Sequence, residues 1–156
     1  MEIVLLSIGG KLPGWVEEPS TDWQKKISKW IRFEHQHIKS IKLDRDSAPE
    51  KKASEAKTLL GLIKPQDFVL LCDEAGQTFD SVQFSKKMQS IFNGSLKRLV
   101  IVIGGAYGAD DQIKKRAQLT LSFSKMTMNH HLAILVACEQ VYRAITIIKN
   151  VKYHNE

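Results

Sequence analysis

The chain has 156 residues, of which 43% are hydrophobic and 26% charged. That is the composition of one globular domain over 1–156 with a full hydrophobic core, and it excludes a disordered chain or a disulfide scaffold. The net charge of +6 at pH 7 favours a polyanionic partner, nucleic acid first, although many small soluble proteins are mildly basic.

The amino terminus, MEIVLLSIGG, carries no basic n-region and reads as a strand over Ile3–Ser7 that stops at Gly9-Gly10, not as a signal peptide. Ser20 or Thr21 is placed to cap a helix reaching Ile31, with Trp23, Ile27, Trp30 and Ile31 on one face. His37–Leu43 alternates weakly and reads as a second strand. Pro49 opens a lysine-rich helix through Leu60. Phe68–Cys72 is a third, buried strand, followed by a polar turn over Asp73–Thr78 that holds Gly76. Ser81–Phe92 is a helix ended by Asn93-Gly94, Leu99–Ile103 a fourth strand, and Asp110–Gln118 a further helix. Leu119–Met128 contains a fifth strand, and His131–Asn150 is the longest apolar helix. This β-α alternation predicts an α/β fold, a parallel sheet with helices on both faces. Leu132–Ile148 is apolar enough to test as a membrane span, but Glu139, Gln140 and Arg143 in its middle argue against a membrane partner.

The most informative stretch is Leu99–Asp110, LVIVIGGAYGAD. An aliphatic run ends in Gly104-Gly105, with Gly108 three residues on. Glycines at the carboxyl end of a buried strand permit a sharp turn and the close approach of a ligand, and in open parallel sheets ligands sit at that end. The turn lacks the spacing of a dinucleotide fingerprint and the Lys-Ser/Thr of a P-loop. Phe123–His131, FSKMTMNHH, mixes small, polar and apolar residues at a strand end, suited to holding an adenine edge between methionine walls. The tandem His130-His131 has no acidic or cysteine partner at ligand spacing, so no metal is expected, and Asn129 or His130 is read as a helix start. Cys72 and Cys138 lie inside apolar runs and read as reduced thiols of a cytoplasmic protein. The tail Lys149–Glu156 carries Lys152, Tyr153 and His154, residue types that stack on bases and contact phosphate; a frayed end is the plain alternative. Lysine and arginine cluster at 25–26, 51–52, 86–87, 97–98 and 114–116, each cluster alone suiting a solvated helix face.

Taken in order, IVLLSIGGKLPGW, LCDEAGQTFDS, IGGAYGAD, LSFSKMTMNHHL, EQVYRA and the terminal YHNE resemble, over essentially the whole chain, the RlmH family of bacterial large-subunit ribosomal RNA pseudouridine N3-methyltransferases, in the SPOUT superfamily. The resemblance implies an α/β fold with a carboxyl-terminal trefoil knot, which periodicity could not show and which the rule against threaded chains would not anticipate. It implies a homodimer that binds S-adenosylmethionine and methylates a base of ribosomal RNA on the assembled ribosome. Carried over by motif, the cofactor residues are Cys72, Gly104, Gly105, Phe123, Ser124, Lys125, Met126, Thr127 and Met128. Glu139, Tyr142 and Arg143 match the family's helix motif, and Tyr153 and His154 its tail. Arg143, Lys152, Tyr153 and His154 are the expected substrate-side residues, and His154, with Tyr153, the expected catalytic pair. A uracil-type N3 must lose its proton before it attacks, and histidine suits that role near neutral pH. The tail is expected to reach a partner's cofactor pocket, and Leu132, Leu135, Val136 and Ile147 to form a dimer face.

Departures from the family pattern fall on the substrate side. Ala106-Tyr107-Gly108 stands where Pro-Glu-Gly is common, Ile134 where an arginine is common, and Val151-Lys152-Tyr153-His154-Asn155 where the tail usually reads His-Pro-Tyr-His and a basic residue. They keep open a non-catalytic RNA- or ribosome-binding protein of the same fold. A flavodoxin-like binder is the more distant alternative.

Overall fold

The aliphatic runs become the strands of one parallel sheet. The computed structural model describes residues 1–40 and 47–155. Strands β1 (Glu2–Gly9), β2 (Arg32–Lys39), β3 (Phe68–Thr78), β4 (Arg98–Ile103) and β5 (Leu119–Ser122) alternate with helices α1 (Gly14–Ile27), α2 (Ala48–Leu62), α3 (Ser81–Phe92), α4 (Asp111–Arg116) and α5 (His130–Ile148). The sheet order is β2-β1-β4-β3-β5, and every pairing is parallel. Successive side chains of a strand point to opposite faces. Ile3, Leu5, Leu70, Leu99 and Ile101 therefore pack with Val16, Phe84, Met88, Ile134 and Val141 of α1, α3 and α5. Val4, Leu6, Val69, Val100 and Val102 face Ala56, Leu59 and Ile113 of α2 and α4. Coverage on both faces is why these strands read as unbroken apolar runs and not as alternation.

The sequence reading misplaced three boundaries. Helix α1 starts at Gly14, with Pro13 before it, and not at Ser20 or Thr21. Pro19 sits inside it, and a proline there normally signals a helix boundary. The helix continues because Val16 and Ser20 are buried; the Ser20 and Thr21 hydroxyls donate to the Glu17 carbonyl at 3.0 and 2.9 Å. It ends at Ile27, leaving Trp30 outside and 43% exposed. Strand β2 lies at Arg32–Lys39, ahead of the expected 37–43, of which positions 41–43 fall outside the described residues.

The third correction bears on the site. The polar stretch Asp73–Thr78 is strand, not turn: β3 bulges after Cys72 and pairs again with β5, Gln77 beside Leu121 and Thr78 beside Ser122. Gly76 makes this possible, because a Cβ there would lie 2.7 Å from the Thr120 and Leu121 backbone. A bulge re-aims side chains, and this one turns Asp73, Glu74 and Ala75 out at the carboxyl end of the sheet. Helix α5 has the length and composition to cross a membrane. Its Ala133, Ile134, Ala137, Cys138 and Val141 instead pack into the core against the sheet, with α1 and α3 as neighbours.

Candidate functional site

Three segments meet where β3 and β4 end and enclose an open cavity of about 640 Å³. The first is the glycine turn after β4. The Gly108 amide donates to the Gly105 carbonyl at 3.0 Å, and Gly108 has φ 80°, the left-handed region that glycine enters without strain. This folds the turn back so closely that a Cβ on Gly104 would lie 2.8 Å from the Gly108 carbonyl carbon. Gly105 backs onto α2 instead. A Cβ there would lie 2.6 Å from Glu55 Oε2. Glu55 is 5% exposed and its Oε1 has no hydrogen-bond partner; burial pushes its carboxyl up, against the opposing pull of Lys51.

The second segment is the bulged end of β3. Cys72 sits at its start, its thiol pushed far up by burial and secondarily by Asp73, so it is no nucleophile. Asp73 lies 3.7 Å from Lys114 Nζ. The third is the loop between β5 and α5. Thr127 Oγ1 donates to Glu74 Oε2 at 2.8 Å, which ties this loop to β3. Ser124 shapes it: its carbonyl accepts from Ser122 Oγ at 2.8 Å and its Oγ from the Met126 amide at 3.0 Å. Phe123 and Met128 pack on the core, whereas Met126 stands 79% exposed. Asn129 caps α5 by accepting from the His131 amide at 2.8 Å. His130 closes the wall, and Lys52 of α2 and the half-exposed Tyr107 stand at the rim.

Behind His130 lies a histidine cluster. Ser7 Oγ is 2.8 Å from both His35 Nε2 and His37 Nδ1, and His37 Nε2 donates to the Gly10 carbonyl at 2.6 Å. A carbonyl only accepts, so that last bond places a proton on His37 Nε2. Burial, with His37 second, lowers His35 to about 4.

The tail docks on its own helix. Asn150, at φ 53°, ends α5 in the left-handed conformation common after helices, and the Val151 amide turns back to the Thr146 carbonyl at 2.8 Å. Tyr153 Oη then donates to Glu139 Oε1 at 3.0 Å. Arg143 donates from Nε to the same oxygen at 3.1 Å and from Nη1 to His154 Nδ1 at 3.1 Å, and lies 4.8 Å over the Tyr153 ring. Burial, followed by Glu139, raises the Tyr153 phenol. His154 lines a second cavity of about 390 Å³ with Phe79, Phe84 and Val136.

A family model described as "Predicted SPOUT methyltransferase" matches residues 1–154. The chain is 41% identical over 155 residues to the ribosomal RNA large subunit methyltransferase H of Bdellovibrio bacteriovorus, covering 99% of each chain. It is 38% and 36% identical to proteins of the same name from Flavobacterium psychrophilum and Parabacteroides distasonis, over 100% of each. The chain belongs to the SPOUT methyltransferase family. Of the cofactor positions expected from that resemblance, Cys72, Gly104, Gly105, Phe123, Ser124, Met126, Thr127 and Met128 line one cavity, while Lys125 is exposed and off its wall. The substrate-side residues Arg143, Tyr153 and His154 cluster elsewhere in this SPOUT chain, and Lys152 is exposed beside them. Ile134, at the family's common arginine position, is wholly buried in the core. Sequence reasoning gave Asp73 and Glu74 no part in the cavity. The bulge that exposes the two carboxylates has no sequence signature beyond Gly76. His130 was legible as the end of the Phe123–His131 segment and as a helix start, but not as a titratable side chain on the cavity wall. Among the described residues no group of three or more His, Cys, Asp or Glu side chains is placed to hold a metal ion.

Proposed function

We propose that the protein is an S-adenosylmethionine-dependent methyltransferase acting on N3 of a pseudouridine in large-subunit ribosomal RNA, in the cytoplasm, as a homodimer on the assembled ribosome. The observation that carries this is the cavity at the ends of β3 and β4, which collects three distant segments at the positions the family resemblance assigns to the cofactor. Its volume of about 640 Å³ lies within the range of cofactor pockets. Phe123, Met128 and Ala133 offer apolar walls for an adenine. Asp73 and Glu74 offer acceptors for a ligand with a sulfonium and an ammonium. When bound, the cofactor supplies an electrophilic methyl group. The protein's part is to hold the target base in line with it, which can lower the barrier by several kcal/mol, and to take the N3 proton.

The segment from the glycine turn to α5 would form the knotted part that the family implies. Lys152, Tyr153 and His154, held by Arg143, would meet RNA, and the partner subunit would bring them to the cofactor cavity. Transfer of labelled methyl from S-adenosylmethionine to large ribosomal subunits lacking the modification tests the reading. Transfer to one pseudouridine is expected. Cofactor binding with no transfer to any ribosomal particle would favour the non-catalytic RNA-binding alternative.

A further inference from the structure

The proposed reaction needs a group that removes the proton from N3, and the expected one, His154, is poorly placed to accept it. Arg143 has only donors, so the His154 Nδ1 that faces Arg143 Nη1 at 3.1 Å must be the acceptor, which leaves the proton on Nε2 in the neutral ring. His154 lines the second cavity of its own chain, so only the partner subunit could bring it to a cofactor cavity, and there its Nε2 would arrive already protonated.

The wall of the cofactor cavity offers another candidate once its lysine, carboxylate, thiol and imidazole side chains are taken in turn. Lys52 and Lys114 carry donors only. Asp73 and Glu74 are held by Lys114 and Thr127, and are the acceptors the reading above assigns to the cofactor's sulfonium and ammonium. The Cys72 thiol is pushed up by burial and stays protonated. His130 remains. It opens α5, where the helix dipole disfavours a cation. Its Nε2 lies 3.3 Å from the point a side chain on Gly9 would occupy, and His37 Cε1 lies 3.9 Å from the same point. The missing side chain of Gly9 therefore lets the two rings converge. Positive or potentially positive groups face His130 from three elements: His131 on α5, His37 on β2 and Lys51 on α2. Burial first, and these neighbours after it, hold the imidazole below its ordinary range, so it is neutral and carries a lone pair at neutral pH.

We propose that His130 is the general base of the methyl transfer, taking the N3 proton of the target base as N3 bonds the methyl group. This rests on the methyltransferase reading above. The N3–H bond breaks toward the imidazole, which becomes imidazolium. The N3 electron pair forms the new N–C bond, and the S–C pair stays on the departing sulfur. The Lys51 cation then favours rapid release of the proton to water through the open mouth of the cavity. Lys51, which also lies 5.5 Å over the Tyr107 ring, acts as a positioning residue that keeps the base neutral.

The test is the single-turnover rate of methyl transfer to large ribosomal subunits as a function of pH, with cofactor affinity measured in parallel by calorimetry. The wild-type rate should rise with pH along a limb that lies below the ordinary histidine value of about 6.5. His130→Asn should lower the rate about a hundredfold or more, abolish the limb and leave cofactor affinity nearly unchanged. Lys51→Gln should move the limb to higher pH, an effect a merely structural lysine would not have. His154→Asn, whatever it does to the rate, should keep the limb. A His130→Asn enzyme that keeps the wild-type rate or limb, or loses cofactor affinity in step with rate, overturns the assignment; so does loss of the limb in His154→Asn. Absence of transfer by the wild-type protein would instead overturn the reading of the function.

Discussion

Two adjacent glycines in this chain are glycine for different reasons. Gly104 faces the backbone of its own turn, which has no side chain to shift. Gly104→Ala should therefore distort the cavity wall and weaken S-adenosylmethionine binding at least tenfold by calorimetry, and no second-site change on α2 should rescue it. Gly105 faces the Glu55 carboxyl, and its φ is not positive, so the obstacle there is contact and not backbone strain. Gly105→Val should lower the melting temperature and cofactor affinity together, and Glu55→Ala in the same chain should restore part of both. A Gly105→Val protein as stable as the wild type would contradict the contact argument. His35 supplies a pH dependence with a definite sign. Its folded value, about 4, lies below the unfolded value of 6.5. Between those values the unfolded chain binds the extra proton, so stability falls as pH drops through that window and is recovered above it. His35→Gln should flatten that part of the profile in thermal melts from pH 7 to pH 4.

At the scale of elements, legibility followed burial. β1 and β4 were plain in the sequence because both faces of each are covered and the runs Ile3–Ser7 and Leu99–Ile103 contain almost nothing else. The second half of β3 was not, because Glu74, Ala75, Gln77 and Thr78 are exposed and its pairing with β5 is a tertiary fact. The start of α1 was hidden by Pro19, a local signal overridden by the burial of Val16. The candidate cavity was legible at its glycine turn and its Phe123–Met128 loop, from motif and resemblance, and illegible where the bulge brings Asp73 and Glu74 to it. The tail was legible as residue types but not as a docked element. Its placement comes from Asn150 and from the shared Glu139 oxygen. Tyr153→Phe should loosen the tail with little loss of global stability, seen as faster amide exchange after Lys149. Lys152 is exposed and does not line the candidate cavity. Lys152→Glu should weaken binding to ribosomal particles, most at low salt where phosphate contacts count most, and leave cofactor affinity unchanged. Parallel loss of both would place the tail in the cofactor pocket.

Several basic residues contribute to the whole molecule through structure. Arg98 pairs with buried Asp67 at 2.8 Å, and Arg116 donates to the Lys64 and Asp67 carbonyls at 2.9 and 3.0 Å. Lys52 and Lys114, by contrast, flank the cavity, which places positive charge where an RNA would enter. Leu132 and Trp15 are 45% and 55% exposed near the start of α5 and α1, and Val136 with Phe84 opens the second cavity nearby. These apolar surfaces suit a contact between copies of the chain. Leu132→Asp should shift sedimentation at micromolar concentration from dimer to monomer. The central claim is that the crevice at the ends of β3 and β4 holds the methyl donor. A crystal structure with S-adenosylmethionine tests it most directly. The adenosyl group should lie between the Gly104-Gly105 turn and the Phe123–Met128 loop. Electron density for it in the cavity beside Phe84 and His154, or at any other place on the chain, would contradict the account.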